Sequence, residues 1–463
     1  MSATHRPRLL WIVLGIGLAA RLIIGLSQDA RIETYAGGDS LWYWRNAYVL
    51  ASGATIREID GQIYDVSRLT VPPVYLLTIG APQTVLPPEA AVIAVRILQA
   101  VLSTITAYCA FRMAVRVSGR VQAGLIAAGL LAFSPAFAIE AAQITTETVF
   151  MALLAGGLAV TLDSVAVSAV NRPHAWRGWV LAGGLFGLAA LTRAVALAFP
   201  LMLAVVVVIA LGFRRGAGRA LVLLAAASLV ILSWTAYNLV RWDRWVLAGE
   251  GLPAFLYIGA TGWDDPVEVD ARLMTDARLM SDGQPMDDPN GTPTVGSPTQ
   301  QDFAQGAAAA IGADPAGYLA RRVGELSGAA LQPHGTAFFA GESLRDLAVG
   351  WLRDDRSITG LVALTHADQF WIKLALYLFH YGTLILGAAG LWQVMRACAW
   401  RLALPLAAYI GYTLAVHLVL LALPRYLFPT LIAWAVLAGC AWGVEKGSII
   451  NGKVERMKNR VSP

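Results

Sequence analysis

The sequence predicts an all-α polytopic membrane protein of about ten transmembrane helices, with amphipathic helices in the segments outside the membrane. Three observations carry the prediction. Of 463 residues, 57% are hydrophobic and only 14% charged, against about 25% charged in ordinary soluble domains. Several apolar runs approach the roughly 20 residues that a helix needs to cross a bilayer. The basic residues stand between these runs instead of pooling in one patch, as the positive-inside rule expects.

The runs fall at 9–26, 90–111, 121–139, 148–170, 178–192, 194–213, 219–240, 369–393, 402–423 and 426–443. The first follows His5, Arg6 and Arg8, contains Arg21, and ends in Ser27-Gln28-Asp29 without a small-x-small cleavage site. It therefore reads as an uncleaved span and not as a signal peptide. Ten crossings put both termini on one side. With that side cytoplasmic, the inner segments hold Arg6/Arg8, Arg112/Arg116/Arg120, Arg172/Arg177, Arg214/Arg215/Arg219, Arg396/Arg401 and the basic tail 446–463. Every one of them is basic, so charge and count agree. The stretch 178–213 reads either as two short helices meeting at Thr192-Arg193 or as one long tilted helix; the basic segments flanking it favour two.

Four units follow from this layout. Residues 1–242 form an N-terminal transmembrane module with its first outer segment at 27–89. Residues 243–368 form an outer loop, 369–445 the last transmembrane helices, and 446–463 a cytoplasmic tail. The outer loop holds 18 acidic and 8 basic residues, a formal charge of −10, while the rest of the chain carries +15. That split also puts the loop outside. Within it, 261–300 is rich in Asp, Pro, Gly and Thr without period and reads as irregular. Phe303 to Leu331 is helical in pattern, with a second helix starting at Asp314-Pro315.

Composition also excludes classes. The pI near 9.1 reflects the inner-segment arginines and does not indicate nucleic-acid binding. Cys109, Cys398 and Cys440 are scattered and without metal spacing, so neither disulfides nor structural zinc is expected. No P-loop, GxSxG or HExxH occurs. Gly183, Gly184 and Gly187 read as helix-packing positions, and His417, inside a span, as a neutral hydrogen-bonded histidine. Only four cations are lysines, the rest Arg. Together with heavy Ala, Gly and Val usage this points to a GC-rich bacterial genome, hence to the inner membrane.

Gly37-Gly38-Asp39-Ser40 puts a carboxylate just outside the first span, ahead of the amphipathic stretch Leu41, Trp44, Tyr48, Ala51. On capping preference it is an N-cap; on chemistry it is a general base facing a lipid-embedded substrate. Glu147 opens the fourth span, where a first-turn acid is favoured by the helix dipole. Arg193 and Arg425 lie near the outer boundary, where an arginine either snorkels or holds a phosphate bidentately. Trp42, Tyr43 and Trp44 read as interface aromatics.

The run Asp39-x3-Tyr43-x3-Ala47-x2-Leu50-x2-Gly53 resembles the first-loop signature of the GT-C glycosyltransferases, which include the polyprenyl-phosphate-sugar-dependent mannosyl- and aminoarabinose-transferases. Four further segments are similar to that family's elements, in its order: Pro72-Pro73-Val74-Tyr75, Thr146-Glu147, Leu191-Thr192-Arg193 and Leu423-Pro424-Arg425-Tyr426-x2-Pro429. The resemblance spans about residues 10–440. The chain departs from it at Ser40, where a second acid often stands, and at Ser233-Trp234-x3-Asn238-x2-Arg241, an altered form of the seventh-span ending.

The resemblance implies an inverting transfer of a sugar from a polyprenyl-phosphate donor to a lipid, glycan or protein acceptor on the extracytoplasmic face. Asp39 would be the base. Arg425, Tyr426, Arg193 and Arg241 would face the donor phosphate, and Tyr43, Pro73 and Tyr75 would line the substrate cavity. Glu147 would meet the acceptor, or share a divalent cation with Asp39, the one cofactor candidate. Two other readings compete: a transporter or flippase of a lipid-linked or small solute, and a catalytically inactive scaffold. Ionisable groups gathered at the outer boundary, and not at mid-membrane, favour the enzyme.

Overall fold

The apolar runs fold into helices that pack side by side, and a smaller outer layer covers one end of them. The structure, a computed structural model, describes residues 6–32, 39–69, 71–169, 176–262, 300–339 and 341–444. Gly37-Gly38, most of 261–300 and the tail 446–463 lie outside the described residues.

In chain order the helices are α1 (Arg6–Ser27), α2 (Asp39–Ala51), α3 (Pro73–Gln83), α4 (Pro88–Ser118), α5 (Val121–Ala132), α6 (Pro135–Glu140), α7 (Glu147–Ala169), α8 (Trp176–Ala190), α9 (Phe199–Leu211), α10 (Phe213–Trp242), α11 (Leu252–Thr261), α12 (Gln300–Ala313), α13 (Pro315–Leu331), α14 (Phe370–Arg396), α15 (Trp400–Val419), α16 (Pro424–Leu427) and α17 (Leu431–Gly439). Short helical turns fill 344–366.

Among the described residues, eight helices are long and apolar enough to cross a membrane. All ten predicted runs are helical, but two are short. The run 121–139 breaks at Ser134-Pro135, where Pro135 opens a new turn and leaves a 12-residue α5. The run 178–192 gives the 15-residue α8, about 22 Å long at 1.5 Å per residue. The number ten is therefore not carried by helix length. The chain does break at Leu191-Thr192-Arg193 before a 3-10 turn at Ala194–Ala196, as the two-helix reading of 178–213 expects.

Arginine in the first span has a structural reason. Arg21 is 1% exposed and donates to the carbonyls of Leu131 and Ala132, both at 2.8 Å, and to Ser103 Oγ at 2.8 Å. It satisfies the orphan carbonyls at the end of α5. Close packing of α8 on α10 depends on two glycines. A Cβ at Gly183 would collide with the Leu223 carbonyl, and one at Gly187 would lie 2.9 Å from the Ala227 carbonyl.

The outer layer is built from α2, α3 and a hairpin that qualifies the all-α reading. Strands β1 (Ile56–Ile59) and β2 (Gln62–Asp65) pair antiparallel across Asp60-Gly61, both in the left-handed region at φ 53 and 74. That is the two-residue turn that an Asp-Gly pair favours. Beneath the layer a second core gathers Trp44, Ala47, Leu50, Tyr75, Leu76, Ile79, Val92 and Trp234. It fixes α2 and α3 on the end of α4 and on α10. The predicted loop helices form as α12 and α13, and Asp314 caps the latter by accepting from the Gly317 amide at 2.9 Å.

Candidate active site

Four helix ends converge beneath the outer layer. The N-termini of α2, α7 and α16 bring Asp39, Glu147 and Arg425, and the break after α8 brings Arg193. In each case the local sequence sets the position. Pro424 starts α16 at its first position, where a proline costs no hydrogen bond. Glu147 stands in the first turn of α7, where the dipole favours a carboxylate. The amide of Val74, in the Pro72-Pro73 element, donates to the Leu191 carbonyl at 2.8 Å. This bond ties α3 to the segment that carries Arg193.

The side chains form one connected string. Arg425 Nη1 donates to Asp39 Oδ2 at 2.7 Å, and its Nη2 lies 3.2 Å from the Tyr426 hydroxyl. Both Arg425 and Arg193 stand over the Tyr426 ring, at 5.1 and 5.3 Å from its centroid. Arg193 then pairs with Glu147 and donates to Thr146 Oγ1 at 3.1 Å. Asp39 is 43% exposed, whereas Glu147 is 5% exposed. The exposed carboxylate suits exchange with a substrate; the buried one suits holding an arginine. Burial weakens the charge on Arg193, but the Glu147 carboxylate outweighs it and holds the guanidinium above its ordinary pKa.

Tyr43 reaches the same place. Its ring meets that of Tyr75 edge-on at 5.4 Å, and the Tyr75 hydroxyl donates to Gln99 at 3.3 Å. Burial, then the Asp39 charge, pushes the Tyr43 hydroxyl far above its ordinary pKa. Tyr75 is raised as well, first by burial. Both are therefore neutral phenols. Tyr43 is thus half-buried against Tyr75, beside the site. Pro73 is buried at the start of α3. Arg241 is not brought in: it is exposed, and it donates to Thr55 Oγ1 at 3.4 Å.

Two neighbours of the site carry no signal in the sequence reading. Glu140, 1% exposed at the end of α6, accepts from Thr145 and lies 2.6 Å from His334 Nε2. His334 also packs on Phe428 at 4.5 Å. A Glu that ends an apolar run, followed by Thr145-Thr146-Glu147, was the available clue for the first; His334 had none beyond its place in a Pro-His-Gly turn. His417 is hydrogen-bonded as expected, 2.8 Å from the Leu421 carbonyl, while its ring stacks on Tyr426 at 5.2 Å.

The donor set does not fit a divalent cation as placed. Asp39 and Glu147 are each taken by an arginine. Among the described residues no three His, Cys, Asp or Glu side chains converge to hold a metal ion. The arrangement instead has capacity for an anion, because Arg425 Nε is buried without a hydrogen-bond partner.

Residues 71–241 match the family model described as dolichyl-phosphate-mannose-protein mannosyltransferase. No curated protein matches the chain in sequence. Among solved structures, the chain is similar to the archaeal oligosaccharyltransferase AglB from Archaeoglobus fulgidus, in complex with an inhibitory peptide and a dolichol-phosphate. The identity is 15% and the TM-score 0.52, over 99% of this chain and 52% of that one. This chain therefore spans about half the length of AglB. ArnT from Cupriavidus metallidurans, bound to undecaprenyl phosphate, matches at 17% identity with a TM-score of 0.41, over 90% of this chain and 77% of that one. The Archaeoglobus fulgidus oligosaccharyltransferase in complex with Zn and sulfate matches at 16% and 0.41, over 95% and 54%. The fold is that of the GT-C glycosyltransferases, and the mannosyltransferase family model covers within it the stretch that carries Pro72-Pro73, Glu147 and Arg193.

Proposed function

We propose that the chain transfers a sugar from a polyprenyl-phosphate-linked donor to an acceptor hydroxyl on the extracytoplasmic face of a bacterial inner membrane, with both termini cytoplasmic. One observation carries the reading: Asp39 and two arginines stacked on one tyrosine meet at one end of the bundle, although they come from three separate segments. A base and a phosphate clamp side by side are what such a transfer needs. The phosphate-bearing ligands in the AglB and ArnT structures agree with that donor class.

In this mechanism Asp39 takes the proton from the acceptor hydroxyl as its oxygen attacks the anomeric carbon. The bond from that carbon to the phosphate oxygen breaks, and the electron pair leaves with the polyprenyl phosphate. Arg425, whose Nε is free, and Arg193 meet the charge that grows on the leaving phosphate. Attack from the face opposite the phosphate inverts the anomeric centre. Glu147 holds Arg193 in place, and Tyr43 and Tyr75 wall the site as neutral rings. No step uses a metal ion.

The test is release of polyprenyl phosphate from a labelled lipid-linked sugar by the purified chain. Asp39→Asn should lower turnover by about 10²–10⁴, the usual range for loss of a general base, with the protein still folded. Full turnover in that variant removes Asp39 from the mechanism. Movement of the donor across vesicles without sugar transfer replaces the enzyme by a flippase.

A further inference from the structure

Away from the string of Asp39, Arg425 and Arg193, a second arginine has buried nitrogens without partners among the described residues. Arg322 on α13 is 0% exposed. Its Nη1 is used, by the Glu325 carboxylate and by the Gly259 carbonyl at 3.5 Å. Its Nε and Nη2 are buried and have no hydrogen-bond partner. These two atoms form one edge of the guanidinium, the pair of parallel N–H groups that grips two oxygens of a carboxylate or phosphate at once. A charged fork buried without acceptors is costly, so the site is built for an oxyanion that the described residues do not supply.

Its surroundings say where that oxyanion comes from. Tyr318 donates to the Val419 carbonyl at 2.5 Å, and Arg321 donates to the Ala260 carbonyl at 2.9 Å. Both bonds clip α13 to the end of the membrane-length helix α15 and to α11. Leu319 and Val323, one helical turn apart on α13, are 52% and 50% exposed, and Val419, whose carbonyl takes the Tyr318 hydroxyl, is 51% exposed. An apolar surface next to a buried cationic fork, at the end of a transmembrane helix, matches a lipid with its phosphate inward and its chains outward.

We infer that the Nε–Nη2 edge of Arg322 binds the phosphate headgroup of a membrane lipid whose chains lie along Leu319 and Val323. The site does not rest on the transfer reaction. Because the fork is covered, the lipid enters by displacing what lies over it, and bound lipid should exchange slowly enough to survive purification. The phosphate can be the diester of a bilayer phospholipid or the monoester of a polyprenyl phosphate.

Native mass spectrometry of the full chain separates these sources. The delipidated protein is titrated with phosphatidylglycerol and, separately, with undecaprenyl phosphate. Wild type should retain one lipid per chain from at least one probe. Arg322→Gln should weaken that retention about tenfold, and Arg322→Lys, which keeps charge without the fork, by a similar factor. Val323→Asp sits on an exposed face, leaves the fold intact, and should also weaken it. Loss confined to phosphatidylglycerol assigns a bilayer phospholipid; loss confined to undecaprenyl phosphate assigns the carrier. Retention of both probes unchanged in Arg322→Gln or in Val323→Asp overturns the proposal, as does a wild type that retains neither.

Discussion

Arg425 donates a 2.7 Å hydrogen bond to Asp39 across 386 positions of sequence. The proposed base and the proposed phosphate clamp thus hold one another. A donor phosphate that takes Arg425 releases the carboxylate, so the two roles are coupled. Arg425→Gln should therefore raise the KM for the donor and lower kcat together. Arg425→Lys should recover part of kcat but little of the donor affinity, since a lysine carries the charge without the fork. Steady-state kinetics with the donor varied reads both; an unchanged donor KM in Arg425→Gln would take this arginine out of the donor site.

The Arg193–Glu147 pair makes a different prediction, about stability. Its side chains are 13% and 5% exposed, so removing either partner strands the other charge. Each single variant, Glu147→Gln or Arg193→Gln, should lose about 3–5 kcal/mol. The double variant should lose less than the sum, because no charge is left unpaired. Thermal unfolding in detergent measures all three, and additive losses would show that the pair is not coupled.

Much of this site was legible in the sequence, for physical reasons. Asp39, Glu147, Arg193 and Arg425 are costly residues beside apolar runs, and each reads as a cap, an anchor or a working group without any coordinates. What could not be read is which of them meet. Arg241 has the same credentials as Arg193, an arginine at a helix end, yet it lies apart beside Thr55. Tyr43 reads as an interface aromatic because its neighbours Trp42 and Trp44 do; only the fold sets its ring edge-on against Tyr75. The Glu140–His334 contact joins segments 194 residues apart, and nothing local announces it. The hairpin is the opposite case, since Asp60-Gly61 between isoleucines is a local turn signal that the helical pattern on either side obscured.

The Glu140–His334 contact holds the turn at 333–338 against the site, with His334 also on Phe428. Glu140→Gln should keep the hydrogen-bonding shape but remove the charge, and should cost less than Glu140→Ala. Both should speed amide exchange in 332–339 ahead of the rest of the fold. Hydrogen exchange read by mass spectrometry checks this; protection unchanged in Glu140→Ala would show that the turn is held by Phe428 packing alone.

Tightness between α8 and α10 should be visible in single substitutions. A side chain at Gly183 meets the backbone of α10 and not a flexible side chain, so it has nowhere to go. Gly183→Val should be destabilised by several kcal/mol, at or beyond the roughly 1–3 kcal/mol of ordinary overpacking. Gly184, which has open space around it, should accept the same change at little cost. A thermal-melting comparison of the two variants decides it, and equal stability would mean that the helices separate freely.

The phenols at Tyr43 and Tyr75 set a limit at high pH. Burial raises both hydroxyls above their ordinary value, while in the unfolded chain they titrate near about 10. A group whose folded pKa lies above its unfolded one stabilises the fold fully below the unfolded value and loses that contribution as pH rises past it. The melting temperature should accordingly show no tyrosine-linked loss between pH 7 and about 10, then fall. Removing both hydroxyls in Tyr43→Phe/Tyr75→Phe should flatten the fall, because the unfolded state then gains less by ionising. The phenylalanine pair keeps the edge-on ring contact and gives up the Gln99 hydrogen bond, so its melting temperature should drop by a constant amount between pH 7 and about 10. An identical slope above pH 10 in both proteins would assign the alkaline loss to other groups.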